Sequence, residues 1–170
     1  MTIEVIALNW KWLFIYPDER IATINFVEFP ANTPIDFKIT ADAPMNSFWI
    51  PQLAGQIYAM PGMVTHLQVE GAPGEYSGVS SNLSGKGFAG MRFVAKAVSR
   101  NEFDQWVRTV RPATPYILDE QTYAELRNDS ENEPVTFFGL GSYPIFNSVV
   151  DSYMSSKNTN TMNGMNMHAL

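Results

Sequence analysis

Thiols and imidazoles, the side chains best suited to hold a transition metal or activate a nucleophile, are scarce in this chain, and the scarcity narrows its chemistry. There is no cysteine, and the histidines are His66 and His168 alone. A zinc enzyme would need three ligands that these residues do not bring together. A Ser-His-Asp hydrolase would need one imidazole beside a serine in a strained elbow, and no G-x-S-x-G occurs. The glycine-containing runs GSYPIF and GKGFAG lack the pattern that cradles phosphate. Asp119-Glu120 suits the positive end of a helix dipole better than acid–base catalysis. His66 alternates with apolar residues in VTHLQVE, as an exposed strand position does. The final NTMNGMNMHAL holds Met162, Met165, Met167 and His168, whose thioethers suit soft Cu(I), but nothing in it fixes a geometry.

One pattern remains. The stretch GEYSGVSSNLSGKGFAGM (74–91) sets Ser80, Ser84, Phe88 and Met91 at successive intervals of four, four and three. By itself it reads as a Ser/Gly-rich turn between strands. Together with MNSFWIP (45–51) and GQIYAMPGM (55–63) it resembles the copper loop of subunit II of the haem–copper oxidases. In that family the frame is Cys-x3-Cys-x3-His-x2-Met and holds a dinuclear copper centre. Family glycines fall at Gly78 and Gly85, a further family histidine falls at Asn46, and a family Glu that ligates through its carbonyl falls at Asn82.

The donor chemistry present here differs. A mixed-valence copper pair needs bridging thiolate. The hydroxyls of Ser80 and Ser84 stay protonated near neutral pH and are hard donors. Phe88 offers no lone pair, Asn46 only an amide, and Met91 a lone thioether. The resemblance is therefore to subunit II of the bacterial quinol oxidases, which keep this domain without the metal. It implies a mainly β, cupredoxin-like Greek-key barrel or sandwich with an aromatic-rich helical extension. It also implies no cofactor in this chain, the haems and copper residing in subunit I. The expected task is structural: a cap on subunit I, at the periplasmic side of the bacterial inner membrane, with Asn46, Ser80, Asn82, Ser84, Phe88 and Met91 at or near the contact. NWKWLF (9–14) resembles the aromatic segment that serves electron entry from cytochrome c in copper-bearing members. Without an acceptor, Trp10 and Trp12, sharing one strand face, are expected in burial or at a subunit interface. A true copper-bearing subunit, or an unrelated β-sandwich binding module, are the alternatives.

The elements that position these residues can be read from periodicity. At 170 residues, with 45% hydrophobic and 16% charged side chains, the chain can bury a real core. Net charge is −6 with dispersed acids, leaving no basic stripe for nucleic acid. No apolar run is long enough to span a bilayer. Members of the resembled family carry two transmembrane helices ahead of this domain, so the chain is expected to be the soluble portion of an anchored protein, with an added initial Met. TIEVIA, NWKWLFIYP, IATINFVEF, IDFKITA, MVTHLQVE and GMRFVAKAV read as strands of a domain over 1–98. From 99 to 155 a helical extension is predicted. Ser99-Arg-Asn-Glu102 forms a capping box, followed by Phe103, Trp106, Val107 and Val110 on one helix face, ended by Pro112 and Pro115. A second helix is predicted from Asp119 through Tyr123 and Leu126. A third is predicted with Ser142 as N-cap and Pro144 in its first turn, and PVTFFGLG (134–141) between them is extended. Residues 156–170, rich in Asn and Met, read as a disordered tail.

Overall fold

The computed structural model describes residues 1–113 and 115–165, the segment 158–165 by backbone alone. Two sheets face each other. The first, seven-stranded, has the order β11-β12-β3-β2-β1-β5-β8, formed by Ile117–Leu118, Thr136–Leu140, Ile21–Ile24, Lys11–Tyr16, Thr2–Leu8, Ile35–Ala41 and Thr65–Val69. The second, five-stranded, has the order β4-β10-β9-β6-β7, formed by Phe26–Pro30, Arg92–Val98, Gly74–Ser80, Asn46–Trp49 and Ile57–Ala59. β1 pairs antiparallel with β2 but parallel with β5, and β4 pairs parallel with β10. Such mixed pairing across two sheets is how a Greek-key sandwich closes.

IATINFVEF is not one strand. At Asn25 the backbone takes φ 57°, and the chain leaves the first sheet for the second. Asparagine tolerates this left-handed conformation better than most residues. The Asn25 N–H donates to the Trp12 carbonyl (2.9 Å). Its Oδ1 accepts from the Trp12 N–H (2.8 Å), and its Nδ2 donates to the Glu133 carbonyl (3.0 Å). The polar groups exposed by the crossing are thus all paired. β6, β7, β9 and β11 were not predicted as strands. Each is short or rich in Ser and Gly, so its periodicity is weak.

Every residue of β2 is buried. Trp12, Phe14 and Tyr16 point between the sheets, where Trp12 meets Phe48 edge-on at 5.3 Å and Phe93 stacks on Phe48 at 5.1 Å. Gly78 is required there, because a Cβ would lie 2.0 Å from the Phe93 ring. Leu13 and Ile15 point the other way, into a second core with Ile6, Leu8, Leu118, Tyr123, Phe138, Ile145, Phe146 and Val149. That second core explains why KWLFIY runs apolar instead of alternating: both sheet faces are covered.

The cover is the extension. Helix α1 (Arg100–Ala113) has the predicted capping box: Glu102 N–H donates to Ser99 Oγ (3.2 Å), and Ser99 N–H to a Glu102 carboxylate oxygen (2.9 Å). Pro112 lies inside the last turn rather than beyond it. Helix α2 (Glu120–Leu126) has Asp119 as N-cap, accepting from Thr122 N–H at 2.8 Å. The extension is more than helical, because PVTFFGLG supplies β12, which pairs antiparallel with β3 and parallel with β11. Helix α3 (Ile145–Met165) begins three residues past Ser142, so Ser142 is not its cap. It also continues through residues predicted as a disordered tail, up to Met165, while 166–170 lie outside the described residues.

A single carboxylate ties this layer down. Asp42, at the end of β5 with its side chain 3% exposed, accepts from Tyr123 Oη (2.6 Å), Tyr153 Oη (2.7 Å) and Arg127 Nη2 (3.0 Å). Burial, then the bond to the Asp42 carboxylate, pushes Tyr123 far above the usual phenol range and Tyr153 up to about 12. The fold favours the neutral phenols, so their contribution is complete below pH 10 and fades as pH rises through 10 towards 12. Asp42→Ala is expected to cost about 2–4 kcal/mol in urea unfolding, because it strands a buried hydroxyl and loses the guanidinium. The alkaline fall in stability should be shallower in Tyr153→Phe.

Candidate functional site

The frame singled out in the sequence lies where β6, β9 and the loop leading to β10 meet. Asn46 opens β6 and is fully buried, and Ser80 closes β9 at 6% exposure. Their side chains touch: Ser80 Oγ donates to Asn46 Oδ1 at 2.7 Å. Asn46 Nδ2 donates in turn to the Pro44 carbonyl (2.9 Å). Ser80 Oγ also lies 3.4 Å from the Asn82 carbonyl, and the Ser80 N–H reaches the Met91 carbonyl (3.3 Å). Asn82 Oδ1 accepts from Ser47 Oγ (2.8 Å), and the Ser81 N–H donates to the Ser47 carbonyl (3.1 Å). Asn46, Ser80 and Asn82 thus belong to one hydrogen-bonded latch. Ser47 completes it, a residue with no signal of its own in sequence beyond standing next to Asn46.

The remaining frame positions sit apart from the latch. Ser84 binds through its carbonyl to Trp10 instead, accepting from Trp10 Nε1 at 2.9 Å, while its buried Oγ has no partner among the described residues. Phe88 opens a short 3-10 turn, Phe88–Gly90, and is half-buried. Met91, 1% exposed, packs its thioether into the inter-sheet core. Among the described residues no three His, Cys, Asp or Glu side chains converge. The oxygens of Asn46 and Ser80 already satisfy each other, and beyond the single Met91 thioether the donors present are neutral and hard. These residues do not fit a thiolate-bridged copper pair.

Of the two places expected for Trp10 and Trp12, burial is the one found, although Trp10 lies outside the strand that holds Trp12. Trp12 is wholly enclosed between the sheets, and Trp10 is 7% exposed in the turn between β1 and β2, so neither presents a face to another subunit. Trp10 instead braces the loop. A Cβ at Gly87 would fall 2.3 Å from its ring. The segment after α2 clamps the same region from outside. Ser130 and the Asn9–Trp10 turn exchange backbone hydrogen bonds (3.1 and 3.2 Å), and Lys86 pairs with Glu131 at 3.4 Å. Lys11, 2% exposed, donates to the Asn128 carbonyl and to Ser130 Oγ, and burial lowers its pKa. His66 is exposed on β8, as its alternation implies, with Nδ1 3.0 Å from Asp36 Oδ2.

Comparison with known proteins matches this geometry. Residues 19–98 match the family model of the cytochrome c oxidase subunit II periplasmic domain, and residues 113–157 that of the COX aromatic rich motif. The chain belongs to the oxidase subunit II family. It is 51% identical over 152 residues to cytochrome bo(3) ubiquinol oxidase subunit 2 of Pseudomonas putida, covering 89% of this chain and 48% of that protein. To ubiquinol oxidase subunit 2 of Acetobacter aceti it is also 51% identical, over 89% of this chain and 49% of the other. The chain thus spans about half the length of these curated relatives. Among solved structures, the periplasmic domain of subunit II of cytochrome oxidase from Bradyrhizobium japonicum superposes with a TM-score of 0.62 at 26% identity. That match covers 64% of this chain and 91% of the other, and it supports the cupredoxin-like reading of the two sheets. Among the described residues no helix is long and apolar enough to cross a membrane.

In this subunit II domain the latch pairs polar groups in a dry interior, so it should carry measurable stability. Asn46→Ala and Ser80→Ala are each expected to lower unfolding free energy by about 1–2 kcal/mol. The double variant should show a coupling of about 1 kcal/mol in the mutant cycle, whereas strict additivity would separate the two groups.

Proposed function

We propose that the full-length protein is subunit II of a bacterial terminal quinol oxidase, a complex that couples quinol oxidation to reduction of oxygen to water and to proton translocation. This domain lies on the periplasmic side of the inner membrane, anchored by transmembrane helices that precede it. It binds no metal and caps subunit I, which carries the haems and copper. The isolated domain catalyses nothing. The direct Asn46–Ser80 hydrogen bond, at two positions where the family frame sets ligands, carries the reading. Relatives named as quinol oxidase subunits support it. A donor that reaches subunit I from within the membrane leaves no electron port to maintain here.

The surface beside the latch has the character of a buried contact. No charged side chain occurs between Asp42 and His66. In and near that stretch Met45 is 42% exposed, Tyr58 53%, Met63 45% and Leu83 82%. Interface centres are depleted of charge and enriched in Met and aromatic residues. With Asn46, Ser80 and Met91 buried, the contact falls to these neighbours instead. In native membranes, Tyr58→Asp with Leu83→Asp in the full-length protein is expected to reduce quinol-driven oxygen uptake by roughly tenfold. The isolated domain should keep its unfolding midpoint, and unchanged oxygen uptake would remove the capping role.

The absence of the metal is a matter of side chains on this reading, not of backbone. Asn46→His, Ser80→Cys, Asn82→Glu, Ser84→Cys and Phe88→His combined should create a coloured copper site, followed by copper titration with visible spectroscopy. A folded but colourless product would mean that the loop backbone itself has moved away from the ligand geometry.

A further inference from the structure

We propose that the extension carries a second docking surface, a groove that takes an apolar segment of a partner protein flanked by lysine or arginine. Two hollows of about 420 Å³ each adjoin where β11, β12, α1 and α2 meet, sharing Tyr116 and Thr136 in their walls. One is walled by Val110, Ala113, Val135 and Phe137, and no charged residue lines it among the described residues. The other has Leu126 and Phe138 as its apolar wall and Glu125, Asp129 and Glu133 around it. Tyr116 (58% exposed) and Val135 (47%) line the uncharged hollow, and exposed Ile117 (51%) follows Tyr116 in the chain. A cluster of that kind on a folded domain marks a site of association.

Charge selects the occupant. Between Asp119 and Glu133 the chain carries Asp119, Glu120, Glu125, Asp129, Glu131 and Glu133 against the single base Arg127. Arg127 is committed to Asp42 and Lys86 to Glu131, while Lys11 is buried with its ammonium on Asn128 and Ser130. Arg108 and Arg111 of α1 are exposed but do not line the groove. Glu125, Asp129 and Glu133 thus stand around the second hollow against one cation, Lys11, which lines the same wall and is attracted to Glu133 and Asp129, leaving a net negative rim around an apolar floor. A segment with aliphatic or aromatic side chains and flanking cations complements both features, the apolar part supplying affinity and the charges orientation. This surface is distinct from the uncharged one beside the latch, and its occupancy does not depend on which quinol or cofactor the complex uses.

The test uses the full-length protein in its native membranes, with the photoreactive residue benzoylphenylalanine placed at position 135, and at exposed Val94 on β10 as control. After illumination, mass spectrometry of the adducts should find one protein segment bearing at least two basic residues next to the attachment point. Position 94 should give it at roughly a tenth of the yield or less. Glu125→Lys with Glu133→Lys should cut the position-135 adduct by roughly fivefold, and Glu125→Gln with Glu133→Gln by a smaller factor in the same direction. Adducts with lipid alone, with a second copy of this chain alone, or none at all would overturn the proposal. So would a yield indifferent to both charge variants.

Discussion

Burial of both faces of the seven-stranded sheet at its centre is the constraint on which the rest of the molecule depends. β2 is enclosed over its whole length, with Trp12, Phe14 and Tyr16 between the sheets and Leu13 and Ile15 beneath the extension. A sandwich that left the second face to solvent would expose Ile6, Leu8, Leu13, Ile15 and Ile24 together. Each such side chain favours burial by roughly 1.5–3 kcal/mol, so the extension is part of the fold rather than an appendage. Its strand β12 continues the sheet beyond β3, and α2 and α3 close the apolar face. The Asp42 carboxylate, bonded to Tyr123, Tyr153 and Arg127, fixes the helices at one corner.

The same packing holds the loop between β9 and β10. Bridging ions can impose a loop conformation with a few strong bonds. In this chain the conformation rests on many weak ones: the Asn46–Ser80–Asn82–Ser47 latch, the Trp10 indole bonded to Ser84, and the segment around Ser130 clamped outside. Hydrogen bonds of this kind contribute about 1 kcal/mol each, so the loop needs several of them together with the buried side chains of Trp10 and Met91. Asn46 and Ser80 share a feature that suits them to this task. Both are short, neutral and able to satisfy one another in a dry interior, where a lone histidine or thiol would lack a partner.

Much of this was open to reading along the chain. The frame Ser80, Ser84, Phe88 and Met91, with Asn46 upstream, is a matter of residue type and spacing. So is the lack of thiolate and imidazole donors, because ligand chemistry is a property of each side chain before any folding. Helix caps at Ser99 and Asp119 are equally local, as the partner lies within one turn. Three features were beyond local pattern. IATINFVEF reads as one continuous strand, yet Asn25 breaks it, because only the Trp12 backbone and the Glu133 carbonyl make the left-handed turn favourable. Which of burial or subunit contact holds Trp10 and Trp12 was also undecided, since the loop and opposite sheet that cover them come from distant segments. The tail to Met165 is helical although its composition carries no apolar period.

By itself, then, the amino-acid order determined which chemistry is unavailable and where helices begin, because donor atoms and capping hydroxyls act over a few residues. Tertiary structure alone decided that Ser80 meets Asn46, that PVTFFGLG becomes a sheet strand, and that an acidic rim borders an apolar groove. Each of those depends on residues far apart in sequence brought within a few ångströms, a juxtaposition that only burial of the two cores enforces.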